Sequence, residues 1–228
     1  TYGHVIVDEA QELSAMAWRL IMRRCPTRSM TIVGDIAQTG DLAGAASWQD
    51  ALGPFVAKRF KVEQLTVNYR TPAEIAAVAD DVLAEIDPTL AAPRSVRATG
   101  VPPRAVLAEG ALADTVAAVL AEEAAGLGDR DADDAGDVPA GRVAVLAPTA
   151  RVADLRARVL PDAGGSAEPD LDAPVVVLPV SAAKGLEFDA VVLVEPAELV
   201  AESPRGLNDL YVALTRATQR LTVVHRAP

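Results

Sequence analysis

Two apolar runs constrain the fold most: Pro174–Val180 (PVVVLPV) and Ala190–Val194 (AVVLV). Neither alternates with polar residues, so a strand formed by either has no face to offer solvent. Strands of that kind belong to parallel sheets covered by helices on both sides. Further strands are expected at His4–Val7, Met30–Val33, Phe60–Val67, Ala105–Ala108, Arg142–Ala147 and Leu221–Val224. Helical spacing fills the gaps. Leu13, Met16, Ala17, Leu20 and Ile21 mark one inward face, with Ser14 as the N-cap. Ile75, Val78, Val82 and Ile86 mark another, behind a capping box of Thr71 and Glu74 around Pro72. Leu112–Ala125, Ala150–Leu160 and the set Leu207, Leu210, Tyr211 and Leu214 read as three more helices. The expected class is α/β, a three-layer fold with a mainly parallel sheet.

A boundary is expected near Leu65–Asn68, giving domains 1–66 and 67–228. The first holds too few strands for a sheet of its own and reads as part of a lobe; the second reads as a complete one. A core strand begins directly behind Thr1, which reads as an excerpt from a longer chain. Gly126–Gly141 (GLGDRDADDAGDVPAG) is acidic, glycine-rich and poor in apolar residues, and is expected as a solvated, mobile loop; Pro161–Ala173 is expected as another.

The net charge of −11 excludes a broad electrostatic attraction for nucleic acid, although a local basic groove stays open. Cys25 is the single cysteine, so no internal disulfide forms. No apolar run approaches the ~18 residues of a membrane span, and the start is unlike a signal peptide. The expectation is a cytoplasmic monomer without membrane contact. His4, Cys25, Trp18 and Trp48 are expected in the core, Trp48 beside Ala51, Leu52 and Phe55.

Five short stretches carry candidate chemistry. The strand at His4–Val7 ends in Asp8-Glu9, a carboxylate pair where parallel sheets bind ligands. An Asp there suits Mg²⁺ beside a nucleoside triphosphate, and the neighbouring Glu suits a general base; a plain strand-end turn would look the same. TIVGD ends its strand at Asp35, with Gln38 able to sense a phosphate or position water. In Asn68-Tyr69-Arg70, the ring of Tyr69 can stack on a base and Arg70 can fork a phosphate. In Lys184–Asp189 (KGLEFD), Gly185 permits a tight turn and Glu187 can accept from a ribose hydroxyl. LYVALTRA places Arg216 near a helix end, where it can stabilise charge on a transferred phosphoryl group. Each also has an ordinary structural explanation.

In order, DEAQ, VGDIAQ, LTVNYR, AKGLEFD and LYVALTRA resemble the later motifs of superfamily 1 helicase-like ATPases, the UvrD/Rep group. The resemblance runs from Val5 to Val224 and implies a RecA-like P-loop NTPase fold, one complete lobe plus part of another, with ATP bound between lobes. It implies Asp8 as the Mg²⁺ ligand, Glu9 as catalytic base, and Gln38, Arg70 and Arg216 as γ-phosphate contacts. It also implies Tyr69 as the adenine-stacking ring and Gly185 and Glu187 on the ribose or phosphate side.

SMTIVGDIAQT, EQLTVNYRTPAEI and ESPRGLNDLYVALTRATQRL are most similar to the HelD branch, which implies an ATPase that binds RNA polymerase and promotes its release. No G-x-x-x-x-G-K-[ST] phosphate loop occurs, so this stretch alone is expected neither to hydrolyse ATP nor to bind it tightly. The family's nucleic-acid-facing Tyr and Trp are replaced by Asp41 and Ala43, and its Thr and His by Pro179 and Ser181. A base–aromatic stack is worth roughly 1–3 kcal/mol, so nucleic-acid contacts look weakened. The alternatives are a UvrD/Rep-type DNA helicase and a degenerate RecA-like scaffold that only binds a partner.

Overall fold

The computed structural model describes residues 1–40, 43–128, 141–161 and 169–226. They fall into two compact units, Thr1–Leu65 and Thr66–Pro228.

In the first unit, strands β1 (Val5–Val7) and β2 (Met30–Ile32) pair in parallel, Ile6 opposite Thr31. Helix α1 (Ala15–Arg24) joins them, and α2 (Trp48–Val56) follows. Ser14 caps α1 as expected, accepting from Ala17 N at 3.2 Å, and Ser47 does the same for α2 from Asp50 N at 3.0 Å. Val7, Ala10, Trp18, Met22, Ala51 and Leu52 form the core, with Trp48 and Phe55 packed against it.

The inward face of α1 meets the expectation only in part: Leu13 and Ile21 pack against the core. Met16 and Leu20 are exposed; Trp18 and Met22, four residues apart, face inward instead. A buried indole removes more apolar area from water than the aliphatic residues on the other stripe, and that decides the rotation. His4 also departs from the core reading. It is exposed, its ring nitrogens bonded to Ser29 Oγ at 2.8 Å and Thr31 Oγ1 at 3.1 Å. Cys25 is buried as expected. The strand expected at Phe60–Val67 does not form: residues 61–66 have no regular structure, and Leu65 is 83% exposed. The loose alternation there offers no run of apolar residues for a neighbouring strand to cover.

The second unit is built on a five-stranded, wholly parallel sheet of order β5-β9-β8-β6-β7. Before it come β3 (Val67–Asn68), α3 (Ala73–Ile86) and β4 (Arg94–Ser95), with β3 and β4 forming a small parallel pair. The sheet strands are β5 (Arg104–Leu107), β6 (Val143–Ala147), β7 (Val175–Pro179), β8 (Phe188–Val194) and β9 (Ala217–His225). Helices α4 (Leu112–Gly128) and α5 (Thr149–Val159) pack together on it, as do α3, α6 (Pro196–Glu202) and α7 (Gly206–Thr215). Every residue of β6 is buried, as is nearly all of β8, which is the signature of a covered central strand.

Three expectations need correction here. Glu74 does not close a capping box on Thr71. Asn68 Oδ1 instead accepts from Arg70 N at 2.9 Å and Thr71 N at 3.0 Å, and Glu74 takes the amides of Gly100 at 2.7 Å and Thr99 at 3.3 Å. The backbone N–H of Glu74 itself, then those of Gly100 and Thr99, hold its carboxyl below the usual range. The inward stripe of α3 is Ile75, Ala76, Ala79 and Leu83, with Val78 exposed. Small alanines on that face let α3 lie close against α7. Residues 126–128 of the expected acidic loop belong to α4. The remaining 129–140 lie outside the described residues, as do 162–168 of the second expected loop. No helix among the described residues is long and apolar enough to cross a membrane.

Candidate functional site

In the first unit the candidate residues gather at the carboxyl ends of β1 and β2. Asp8 follows β1 directly, exposed, and its Oδ1 accepts from Glu9 N at 2.9 Å. Glu9 adopts the left-handed conformation, φ 48°. For a non-glycine residue this costs on the order of 1–3 kcal/mol and persists only where the surroundings impose it. Here Ala10 N donates to Val33 O at 3.0 Å and Glu12 N to Glu9 O at 3.1 Å, while Gln11 Nε2 donates to Glu9 Oε2 at 2.7 Å.

Gln11 is the residue that the motif reading left without a role. It is 1% exposed, and its Oε1 accepts from Asp35 N at 3.1 Å, so one buried amide ties Glu9 to the end of β2. Asp35 in turn accepts from Ala37 N and from Gln38 Nε2, both at 3.0 Å. Asp8, Glu9, Gln11, Asp35 and Gln38 thus share one sheet edge. Gly34 is required there by space: a Cβ would run into the Gln11 amide oxygen and come within 2.9 Å of the Trp48 ring. Trp48 is therefore part of the support for this edge. The signal that could have found Gln11 is its place two residues after Glu9, close enough to reach back to that carboxylate.

In the second unit the candidates gather at the amino-terminal edge of the sheet. Glu187 directly precedes β8, and Arg216 directly precedes β9. Arg70 Nη1 lies 2.5 Å from Glu187 Oε1, so NYR and KGLEFD, distant in sequence, meet in an ion pair. Arg216 is 5% exposed. Its Nε donates to Val212 O at 3.1 Å, Nη1 to Leu186 O at 3.2 Å and Nη2 to Thr215 Oγ1 at 3.2 Å. Contact with a phosphate requires some of these bonds to be exchanged. Gly185, φ 72°, gives the turn its left-handed residue. Tyr69 is 73% exposed, its ring open to stacking. The structure thus brings Arg70, Glu187 and Arg216 to one turn, and Asp8, Glu9 and Gln38 to one edge.

The opposite, carboxyl-terminal edge of the same five-stranded sheet carries an open groove of about 270 Å³, lined by Thr149, Val180, Ser181, Leu199, Glu202, Ser203 and Asp209. Glu202 Oε1 accepts from Thr149 N at 2.7 Å, and Ser203 Oγ lies 3.2 Å from Asp209 Oδ2. Its two carboxylates disfavour a phosphate backbone. Asp41 lies outside the described residues; Ala43 is exposed.

Asp8 fits Mg²⁺. That ion keeps several waters and takes one or two carboxylates beside substrate phosphates, so an exposed strand-end carboxylate is a suitable donor. Among the described residues no group of three or more His, Cys, Asp or Glu is placed to hold a metal on its own.

Residues 174–224 match the family model of the UvrD-like helicase C-terminal domain. The match takes in Gly185, Glu187 and Arg216. No curated protein matches the chain in sequence. Among solved structures, the chain is similar to the helicase of PRRSV, with 17% identity and a TM-score of 0.50, over 97% of this chain and 34% of that one. It is also similar to an arterivirus nonstructural protein 10 helicase in complex with DNA (18% identity, TM-score 0.47, 97% of this chain and 39% of that one). A third similar structure is the C-terminal domain of a possible DNA helicase from Lactobacillus plantarum WCFS1 (22% identity, TM-score 0.43, 69% of this chain and 87% of that one). The fold is RecA-like. The chain spans about a third of the length of the PRRSV helicase it resembles.

Proposed function

We propose that the chain is the carboxyl-terminal motor portion of an ATP-hydrolysing, superfamily 1 helicase-like protein. The observation that carries this reading is the meeting of Arg70, Glu187 and Arg216 at one turn, two of them inside the UvrD-like match. In this reading Asp8 holds Mg²⁺, which neutralises phosphate charge when bound. Glu9 takes a proton from the attacking water as the water oxygen bonds to the γ-phosphorus and the bridging oxygen departs with ADP. Gln38 orients that water. Tyr69 stacks on adenine, Gly185 and Glu187 serve the ribose side, and Arg70 and Arg216 neutralise charge gathering on the γ-phosphate. The 228 residues by themselves lack the phosphate loop, so turnover is proposed for the full-length protein.

We further propose a HelD-type role, in which the motor binds RNA polymerase and promotes its release. The support is on the nucleic-acid side. Ala43 has no ring to stack, Trp48 is committed to packing near Gly34, and the groove beside Ser181 is acidic. Capture of RNA polymerase by the full-length protein, with ATP hydrolysis indifferent to single-stranded DNA, is the expected result. Strong stimulation by single-stranded DNA together with strand separation would instead identify a UvrD/Rep-type DNA helicase. Full-length protein that fails to hydrolyse ATP would leave only the scaffold reading.

A further inference from the structure

The turn that carries Glu187 is held by a second arginine that no motif includes. Arg142 lies just ahead of β6 at the same amino-terminal edge of the sheet. Its Nη2 donates to the Glu187 carbonyl at 2.9 Å and its Nη1 to the Leu171 carbonyl at 3.2 Å. Its guanidinium carbon sits 5.6 Å from the centre of the Phe188 ring, within cation–π range. The backbone is engaged as well: Arg142 N donates to Asp189 Oδ2 at 2.8 Å, and Asp189 Oδ1 accepts from Gln219 Nε2.

Residues 186–189 are therefore gripped at successive points. Arg216 takes the Leu186 carbonyl at 3.2 Å, Arg142 takes the Glu187 carbonyl, and Phe188 N donates to Arg216 O at 3.0 Å. With the peptide units on both sides of Glu187 fixed, the point and direction from which its side chain leaves the backbone are set, and its carboxylate meets Arg70 at 2.5 Å. A planar fork that holds two carbonyls from different segments is a task for arginine rather than lysine.

We propose that Arg142 is a positioning residue for nucleotide binding: it sets the Glu187 backbone, and through the Glu187 carboxylate it sets Arg70. This rests on the ATPase reading above. Arg142 acts directly on Glu187, on the ribose side, and on Arg70 only at one remove, so its loss raises KM more than it lowers kcat.

The test uses the full-length protein and two readouts, steady-state ATP hydrolysis and equilibrium binding of a fluorescent ATP analogue. Arg142→Ala is expected to raise KM and Kd about tenfold, the worth of one charge-assisted hydrogen bond, with kcat within about threefold. Arg142→Lys keeps the charge and one donor, and is expected to raise both by about threefold. Glu123→Gln serves as the control. Glu123 is a buried clamp on α4, bonded to Arg220 at 2.5 Å and Thr222 at 2.7 Å on β9. That variant should lower Tm and leave KM and kcat unchanged.

An Arg142→Ala protein that loses Tm as the control does, with KM and Kd intact, overturns the inference and leaves the ATPase reading standing. If Arg142→Ala does not fold, Arg142→Lys decides: an unchanged Kd overturns the inference. Wild-type protein that neither binds nor hydrolyses ATP removes both readings together.

Discussion

The two candidate clusters are held in place by opposite means. At residues 66–228 the supporting sheet is central and fully covered. Every residue of β6 and nearly all of β8 are buried, and the candidate turn is tied at their amino-terminal ends by arginine-to-carbonyl bonds. At residues 1–65 the sheet has two strands, and one face is open: Ile6 is 73% exposed opposite an exposed Thr31. There the carboxylates depend on a chain of side-chain hydrogen bonds running Glu9, Gln11, Asp35, Gln38. One cluster inherits its order from a hydrophobic core. The other is organised by a few polar groups, and its order is correspondingly easier to remove with a single substitution. Charge divides along the same line. Residues 1–65 contain seven acidic and seven basic side chains, so the whole net charge of −11 falls on the remainder.

The largest expected effect tests the core-borne side. Leu193→Ala empties a fully buried position near the carboxyl end of β8, and it should cost about 2–5 kcal/mol in urea denaturation followed by exchange of the β8 amides. A cost under about 1 kcal/mol would mean that this sheet does not hold the turn. Next comes the polar side. Gln11→Ala in the full-length protein removes the link between Glu9 and Asp35 and should slow hydrolysis by about 10²-fold, with ATP affinity changed less than about threefold. A rate within twofold of wild type would show that Glu9 keeps its left-handed conformation unaided.

The smallest effect concerns Asp80 on α3, whose carboxyl is pushed up by burial and then by the neighbouring Asp81. A carboxyl whose pKa rises on folding favours the fold while it is protonated, and that contribution disappears as pH rises through the folded value. Asp80→Asn should therefore raise Tm slightly near neutral pH, by well under 1 kcal/mol given the solvent screening of a half-exposed group. The gain should vanish below the ordinary aspartate range, near pH 4. A gain that grows on acidification would reverse the assignment.

The parallel sheet was legible because its strands are apolar without interruption, a pattern that has one physical solution. Ser14 as a cap and the helices after β5 and β6 were legible for similarly local reasons. The inward face of α1 was not: Met16 and Leu20 fit the periodicity as well as Trp18 and Met22 do, and only packing chooses between them. The capping box at Thr71 lost to Asn68, whose side chain takes the Thr71 amide that Glu74 would have reached, and to the amides at 99–100, which are invisible from the local sequence. Motifs pointed to Glu9 and Glu187. They included Gln11 without giving it a role and did not include Arg142; the partners that reveal the two lie 24 and 45 residues away.

In the proposed mechanism Glu9, strained and held by Gln11 at the end of β1, accepts the proton of the water that attacks ATP. Phosphate release by the full-length protein, measured with Mg²⁺ before and after Glu9→Gln, tests it most directly. Magnesium-dependent turnover is expected, falling by about 10³-fold or more in the variant while binding of a fluorescent ATP analogue is retained. Turnover that survives the substitution would contradict it.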